Sequence, residues 1–326
     1  MRAARMVAIG NMVCEQADID PPQDGQLLVR LREAAICGSD LHILYDGLRV
    51  PADNIKPGFP GHEGVGEVVE SRSPQFKAGD WVLTCPYSPY GRCFAEYLTI
   101  PADSCLKLPP YKGPVEHLLM AQQFGTTMFA LRRAEFDFVG KTVMVMGQGS
   151  AGVFFAWMAK RWGAKKVIVS DLSEARLTQS KMTGADVAVR ADAQGDNVKA
   201  AVEEHTGGQG ADLVIEAVGK RTSLLQSVDL VKNGGQIVYF GLPDTHEPVM
   251  FNFHDFFRKR VGAYAHYGTQ MEPGLVSFQS ALDLIATGQI DVSELVTHRF
   301  PLEQIGEAMR IAQDRSDGAR KVALTL

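Results

Sequence analysis

No stretch of the 326 residues is apolar for long enough to cross a bilayer, so the chain is expected not to span a membrane. Charge of one sign is nowhere concentrated. Lys and Arg number 33 against 38 Asp and Glu, a net charge of −5, with neither the basic block that a nucleic acid demands nor an acidic tail. Cysteine is scarce, odd in number and scattered, at positions 14, 37, 85, 93 and 105. That argues against a disulfide framework and for a reducing, cytoplasmic compartment. Internal repeats and low-complexity segments are missing too. Met1–Gly10 carries two arginines but no sustained apolar core or cleavage site, and reads as a first strand rather than a signal peptide. What remains is an ordinary composition, 45% hydrophobic, in a chain long enough for two domains with cores of their own.

Up to about residue 115 the chain is rich in Gly and Pro between short strand-like runs, at 26–31, 64–70, 80–84 and 94–100, as in a compact β-rich domain. Cys37–His42 looks like a strand end turning into a short helix. From about 116 the texture changes. A helix is expected over 115–133, then helix 150–162, strand 166–170, helices 173–183 and 196–205, strand 212–216, helix 221–231 and strand 235–241. That alternation predicts a parallel, doubly wound sheet. A strand at 261–265, helices at 272–287 and 302–314 and a strand at 320–326 follow. This tail has no core of its own and is expected to pack on the first domain.

Within the second region one stretch organises the rest. The apolar run Thr142–Met146 breaks into Gly147-Gln148-Gly149-Ser150-Ala151-Gly152, and a helical pattern begins at Val153. Gly147 permits a tight turn, Gly149 lets backbone approach a pyrophosphate, and Gly152 lets helix pack on strand. The helix N-terminus offers unpaired N–H groups to phosphates. A second apolar strand ends at Asp171, about twenty residues on, where an acid grips an adenosine ribose diol. Strand, turn, helix, strand and acid in that order predict a dinucleotide site.

Cys37, His62 and Glu63 are the other signal. Zinc accepts thiolate, imidazole and carboxylate, and a catalytic site keeps one position open. Singly, each has a plainer reading: a buried small apolar residue for the cysteine, a surface or hydrogen-bonded residue for the histidine.

Together these pieces resemble the zinc-containing medium-chain dehydrogenase/reductase family, most of all its polyol, threonine and secondary-alcohol dehydrogenase branch. The matching segments are Cys37-Gly38-Ser39-Asp40-Leu41-His42, Pro60-Gly61-His62-Glu63-Gly64-Val65-Gly66, Gly79-Asp80-Trp81-Val82, the glycine turn with Asp171, and Gly234–Val238 before Gly241. The resemblance implies a GroES-like β-rich catalytic domain over 1–120, a Rossmann domain over 121–264, and a segment 265–326 returning to the catalytic domain, with the active site in the cleft between the domains. It implies Cys37 and His62 as zinc ligands, with Glu63 a ligand or close alternate. Ser39 and His42 match the proton relay, and Asp40 would orient His62, its plainer reading being a helix cap. Thr126 matches a threonine beside the nicotinamide, or is a plain helix threonine. Ser150, Ala151, Asp171 and Arg176 join the glycines as cofactor contacts. Arg176 lies near the ribose or adenine, or is a solvated helix arginine. Asp171 favours NAD over NADP, because its charge repels a 2′-phosphate. The implied reaction is reversible alcohol oxidation by a homodimer or homotetramer, with pairing expected through the sheet edge near 237–265.

Two departures stand out. Gln122 occupies the remaining zinc position, usually Cys or Glu, so Glu63 is expected to do more of the binding. The segment Cys85–Cys93 runs straight into the next strand, without the four closely spaced cysteines of a structural-zinc lobe, so one catalytic zinc and no structural zinc is expected. Tyr45, Tyr87, Tyr90 and Phe124 are candidates for a substrate pocket, or core and surface residues. The rival readings are a zinc-free NADPH-dependent quinone or enone reductase of the same superfamily, and a non-catalytic nucleotide-binding redox sensor.

Overall fold

A computed structural model describes residues 1–47, 55–87, 90–192, 195–315 and 318–326; Ser88 and Pro89, in the segment between Cys85 and Cys93, lie outside the described residues. The chain divides into two compact units, Met1–Thr126 with Gly268–Leu326, and Thr127–Tyr267.

The first unit opens with a hairpin, β1 (Arg2–Ala8) and β2 (Asn11–Gln16). Then come β3 (Gln26–Ala35), α1 (Gly38–Asp46), β4 (Glu63–Ser71), β5 (Trp81–Thr84), β6 (Tyr97–Pro101), β7 (Cys105–Lys107) and α2 (Val115–Ala134), in which the division between the units falls. β3 outruns the strand read from the sequence. Leu27, Val29 and Leu31 alternate inward, and Ala34 and Ala35 are small enough to be buried beyond them. It pairs antiparallel with both β4 and β6, which makes it the spine of the sheet. Through that pairing the C-terminal end of β3 brings Ala35 opposite Glu63, and so sets the segments around Cys37 and His62 side by side.

The second unit alternates strand and helix: β8 (Thr142–Met146), α3 (Ser150–Arg161), β9 (Lys166–Asp171), α4 (Glu174–Met182), β10 (Val187–Arg190), α5 (Asp196–Thr206), β11 (Ala211–Glu216), α6 (Arg221–Leu230), β12 (Val231–Tyr239), α7 (Phe253–Lys259) and β13 (Gly262–Ala265). All six strands are parallel, in the order β10-β9-β8-β11-β12-β13. Val143, Val145, Val167, Val169, Leu213 and Ile215 are fully buried, as a sheet covered on both faces requires. The strand order reverses direction at β8, and in such sheets ligands bind outside the carboxyl ends of the strands at that point. β10 and α7 escape a sequence reading because they are short. β10 has four residues, none of them buried, and α7 has seven with no buried face.

The last 59 residues complete the first unit. They carry α8 (Val276–Ala286), β14 (Val296–Pro301), α9 (Ile305–Asp314) and β15 (Lys321–Thr325). α8 starts later than its pattern suggests, because Gly274, at φ +72°, breaks the helix before Val276. β15 pairs with β3 and β14, giving the order β14-β15-β3-β4-β5-β7 with β6 also on β3. Ile305, Ala308 and Met309 of α9 join Leu27, Val29, Leu31, Phe94 and Leu98 in one core.

Candidate active site

Cys37 precedes α1 in extended conformation, and the helix starts at Gly38. Asp40 is wholly buried, and one carboxylate oxygen accepts the Cys37 N–H at 2.9 Å while the other lies 2.9 Å from His62 Nδ1. The two readings of Asp40, helix cap and partner of His62, are therefore both realised by one side chain. With Nδ1 turned to a carboxylate, Nε2 is the nitrogen left for a ligand, the arrangement that metal-binding histidines favour. Burial works to lower the pKa of His62, but Asp40 and then Cys37 outweigh it, and the net shift is well upward. Among the described residues, Cys37, His62 and Glu63 are the one group of three or more His, Cys, Asp or Glu side chains near enough to hold a metal, their ligand atoms all within 4.8 Å of one another. Sulfur, imidazole nitrogen and carboxylate oxygen form a donor set that fits zinc.

Lys321 is not among the residues that the sequence analysis singles out. It opens β15, is 1% exposed, and lies 2.8 and 2.9 Å from the two oxygens of Glu63. It also donates to the carbonyl of Ile36 and to Gln123 Oε1, both at 3.3 Å. Burial alone would depress its pKa, yet Glu63 and the other acids nearby raise it, so the ammonium stays charged. A metal held by Cys37 and Glu63 would therefore share the carboxylate with a buried cation already seated on it. Gln122 donates its amide to the His62 carbonyl at 3.2 Å, and it is the neighbouring Gln123 whose Oε1 lies 4.0 Å from Cys37 Sγ. A pair of glutamines on an otherwise buried helical stretch was the available signal for Gln123. A lysine heading an apolar strand was the signal for Lys321.

Ser39 Oγ lies 3.4 Å from His62 Nε2, at the edge of the metal-ligand group. His42 Nδ1 is 2.6 Å from Asp46 Oδ2. Thr126 Oγ1 donates back to the Gln122 carbonyl at 2.9 Å, as a helix threonine does. Of the aromatic candidates, Phe124 is fully buried, Tyr45 and Tyr90 pack against the core, and Tyr87 is exposed, its ring edge-on to Tyr90 at 5.6 Å. All five cysteines are free. Cys85, Cys93 and Cys105 are buried thiols, and burial pushes Cys93 up to about 12.

In the second unit the glycines sit as their spacing implies. Gly147 has φ +87°, which suits glycine alone among common residues. A Cβ on Gly152 would come within 1.9 Å of the Gly147 carbonyl oxygen, so any side chain there would drive α3 off the turn. Gly149 has open space around it and precedes Ser150, Ala151 and Gly152, which form the first turn of α3 at the positive end of the helix dipole. Asp171 closes β9. Its Oδ2 accepts the Gln148 N–H at 2.7 Å and its Oδ1 the Ser173 N–H at 2.8 Å, which fixes the carboxylate beside the turn. Arg176 is not the solvated helix arginine that was the plainer alternative. It is 7% exposed, with Nη1 3.8 Å from Asp171 Oδ2 and 4.0 Å from where a Gly149 Cβ would stand. Gln148, unread in the sequence, is wholly buried. It donates to the Gly147 carbonyl and accepts from Ser180, tying the turn to α4.

Residues 23–110 match the alcohol dehydrogenase GroES-like domain and residues 151–287 the zinc-binding dehydrogenase domain. An L-threonine 3-dehydrogenase from Enterobacter sp. (strain 638) is 29% identical, over 94% of this chain and 97% of its own length. Alcohol dehydrogenases from Thermus sp. ATN1 and from Thermotoga maritima superpose with TM-scores of 0.85 and 0.83 at 26% and 25% identity; the first covers all of both chains, the second 99% of this chain and 98% of its own. The chain belongs to the zinc-containing medium-chain dehydrogenase/reductase family. It is an enzyme of the alcohol dehydrogenase type, a GroES-like domain joined to a Rossmann-like parallel-sheet domain, and the family implies zinc and a nicotinamide cofactor acting on a small molecule. Among the described residues no helix is long and apolar enough to cross a membrane.

Proposed function

We propose that the protein is a zinc-dependent, NAD(H)-linked dehydrogenase that interconverts a secondary alcohol or polyol and the corresponding ketone. The observation that carries this reading is the convergence of Cys37, His62 and Glu63 on one point, with the Ser39 hydroxyl beside it. The name of the curated relatives, L-threonine 3-dehydrogenase, fits a secondary alcohol, the class to which threonine's hydroxyl belongs. When bound, zinc supplies the Lewis acidity that acidifies a hydroxyl, and the nicotinamide accepts hydride. The rest falls to the chain. Cys37 and His62 hold the metal, with Glu63 and Gln122 close by. Asp40 keeps the His62 tautomer. Ser39 takes the hydroxyl proton and His42 carries it toward solvent.

Gly147, Gly149, Ser150, Ala151 and Gly152 receive the pyrophosphate, and Thr126 lies beside the nicotinamide. Asp171, with Arg176 against it, faces the adenosine ribose and favours NAD. We assign one zinc per chain, with none between Cys85 and Cys93. The assembly is a homodimer or homotetramer built on the β13 edge, near which Phe253 and Phe257 of α7 are 62% and 68% exposed. Five free cysteines suit the cytoplasm. Light scattering that returned a monomer would remove the oligomer assignment.

A panel of secondary alcohols and polyols with NAD, read by absorbance beside elemental analysis, tests the proposal. Turnover that depends on one bound zinc is expected. A metal-free chain that reduces enones with NADPH would replace it with the second reading, which the Lys321–Glu63 pair and the neutral Gln122 favour. Binding of NAD with no turnover of any substrate would leave the redox-sensor reading.

A further inference from the structure

Ser39, His42 and Asp46 follow one another at intervals of three and four residues along α1, so they form a row on one face of the helix. At the inner end Ser39 Oγ stands 3.4 Å from His62 Nε2. At the outer end His42 Nδ1 and Asp46 Oδ2 are 2.6 Å apart, and side-chain exposure rises from 15% at His42 to 35% at Asp46. Asp46 is the last residue of α1, before Gly47 closes the helix in the left-handed conformation, and the last turn holds no basic residue. A helix C-terminus carries partial negative charge and so disfavours an acid. The helix therefore gains nothing from this aspartate, whereas His42 does. A carboxylate only accepts, so the imidazole nitrogen facing it carries the hydrogen, and Nε2 is left as the bare nitrogen able to take a proton.

We propose that Asp46 is a positioning residue of the proton relay: it holds His42 in the Nδ1–H tautomer, making Nε2 the proton acceptor. In alcohol oxidation the hydroxyl proton ends on His42 Nε2 while Nδ1–H stays bonded to Asp46, and the imidazolium then gives a proton to water. No electrons move through the helix. The role rests on the alcohol dehydrogenase reading, but the tautomer itself can be observed without turnover.

The test is a long-range proton–nitrogen correlation spectrum of the full, uniformly nitrogen-15-labelled chain in mildly alkaline buffer, with His42 assigned by its loss in His42→Gln. The expected wild-type pattern is a protonated Nδ1 and a bare Nε2. In Asp46→Ala, a change a helix tolerates, the population should move toward Nε2–H. In the same variant kcat for alcohol oxidation should fall about tenfold, within the range of general acid–base effects, with the KM for NAD unchanged. No further loss is expected when Asp46→Ala is added to His42→Gln. A wild-type His42 protonated on Nε2, or a tautomer indifferent to Asp46→Ala, overturns the proposal. A chain with the expected tautomer that oxidises no alcohol fails the functional reading alone.

Discussion

Lys321→Met probes the one buried charge in the site that the sequence did not announce. Both side chains of the Lys321–Glu63 pair are 1% exposed, and both carboxylate oxygens lie within 2.9 Å of the ammonium. Methionine nearly fills the volume of lysine, so the cavity term is small and the loss is electrostatic. Removing one partner of such a pair leaves the other charge buried without compensation, which costs about 3–5 kcal/mol, whereas removing both charges is often neutral. Without metal, Lys321→Met should therefore be less stable by about 3–5 kcal/mol, and Glu63→Gln/Lys321→Met should lie within about 1 kcal/mol of wild type. Zinc alters the balance, because a cation on Cys37 and Glu63 replaces the lost ammonium. Stabilisation by zinc should then be larger in Lys321→Met than in wild type. Denaturant midpoints with zinc and with a chelator measure all four terms. A metal-free Lys321→Met as stable as wild type would refute the claim that this cation holds the buried carboxylate in place.

Other expectations follow from single contacts. Asp171→Ser should relax the preference for NAD, read as the ratio of NAD to NADP affinities; an unchanged ratio counts against its role at the ribose. Gly152→Ala should weaken NADH binding sharply and destabilise the second unit by about 1–3 kcal/mol, since its Cβ would meet the Gly147 carbonyl oxygen at 1.9 Å; fluorescence titration of NADH checks it, and wild-type affinity contradicts it. Glu33 is held up to about 7, by burial first and Glu116 next, against the lowering effects of Thr325 and Arg299. Its folded pKa lies above the unfolded value, so its contribution is most favourable below pH 4.5 and is lost as pH rises through about 7. Glu33→Gln should match wild type in acid and exceed it above neutrality by about 1 kcal/mol, a figure reduced for partial exposure; parallel unfolding curves at both pH values would contradict this.

The sequence exposes what is periodic or spaced, and hides what depends on distant pairing. β8, β9 and β11 were readable because strands covered on both faces are apolar runs, and the turn after β8 because Gly147 takes a left-handed φ and Gly152 sits against the Gly147 carbonyl. β14 was missed because Thr297, His298 and Arg299 are polar in succession, which hides an alternation in burial that only the structure shows, and α7 because none of its residues is buried. Cys37, His62 and Glu63 stood out by chemistry. The partner of Glu63 did not, since it lies 258 residues away and arrives only when β15 pairs with β3. Arg176 was underrated for a similar reason, as helix periodicity does not show that Asp171 and Gly149 draw it inward.

The central claim is that Cys37 and His62, with Glu63, hold a catalytic metal next to the site of alcohol oxidation. The absorption spectrum of the cobalt-substituted chain tests it most directly. One cobalt per chain is expected, with a sulfur-to-metal charge-transfer band that disappears in Cys37→Ser and visible bands that shift when NAD and an alcohol are added. A spectrum with no charge-transfer band, or one that Cys37→Ser leaves unchanged, would contradict the account.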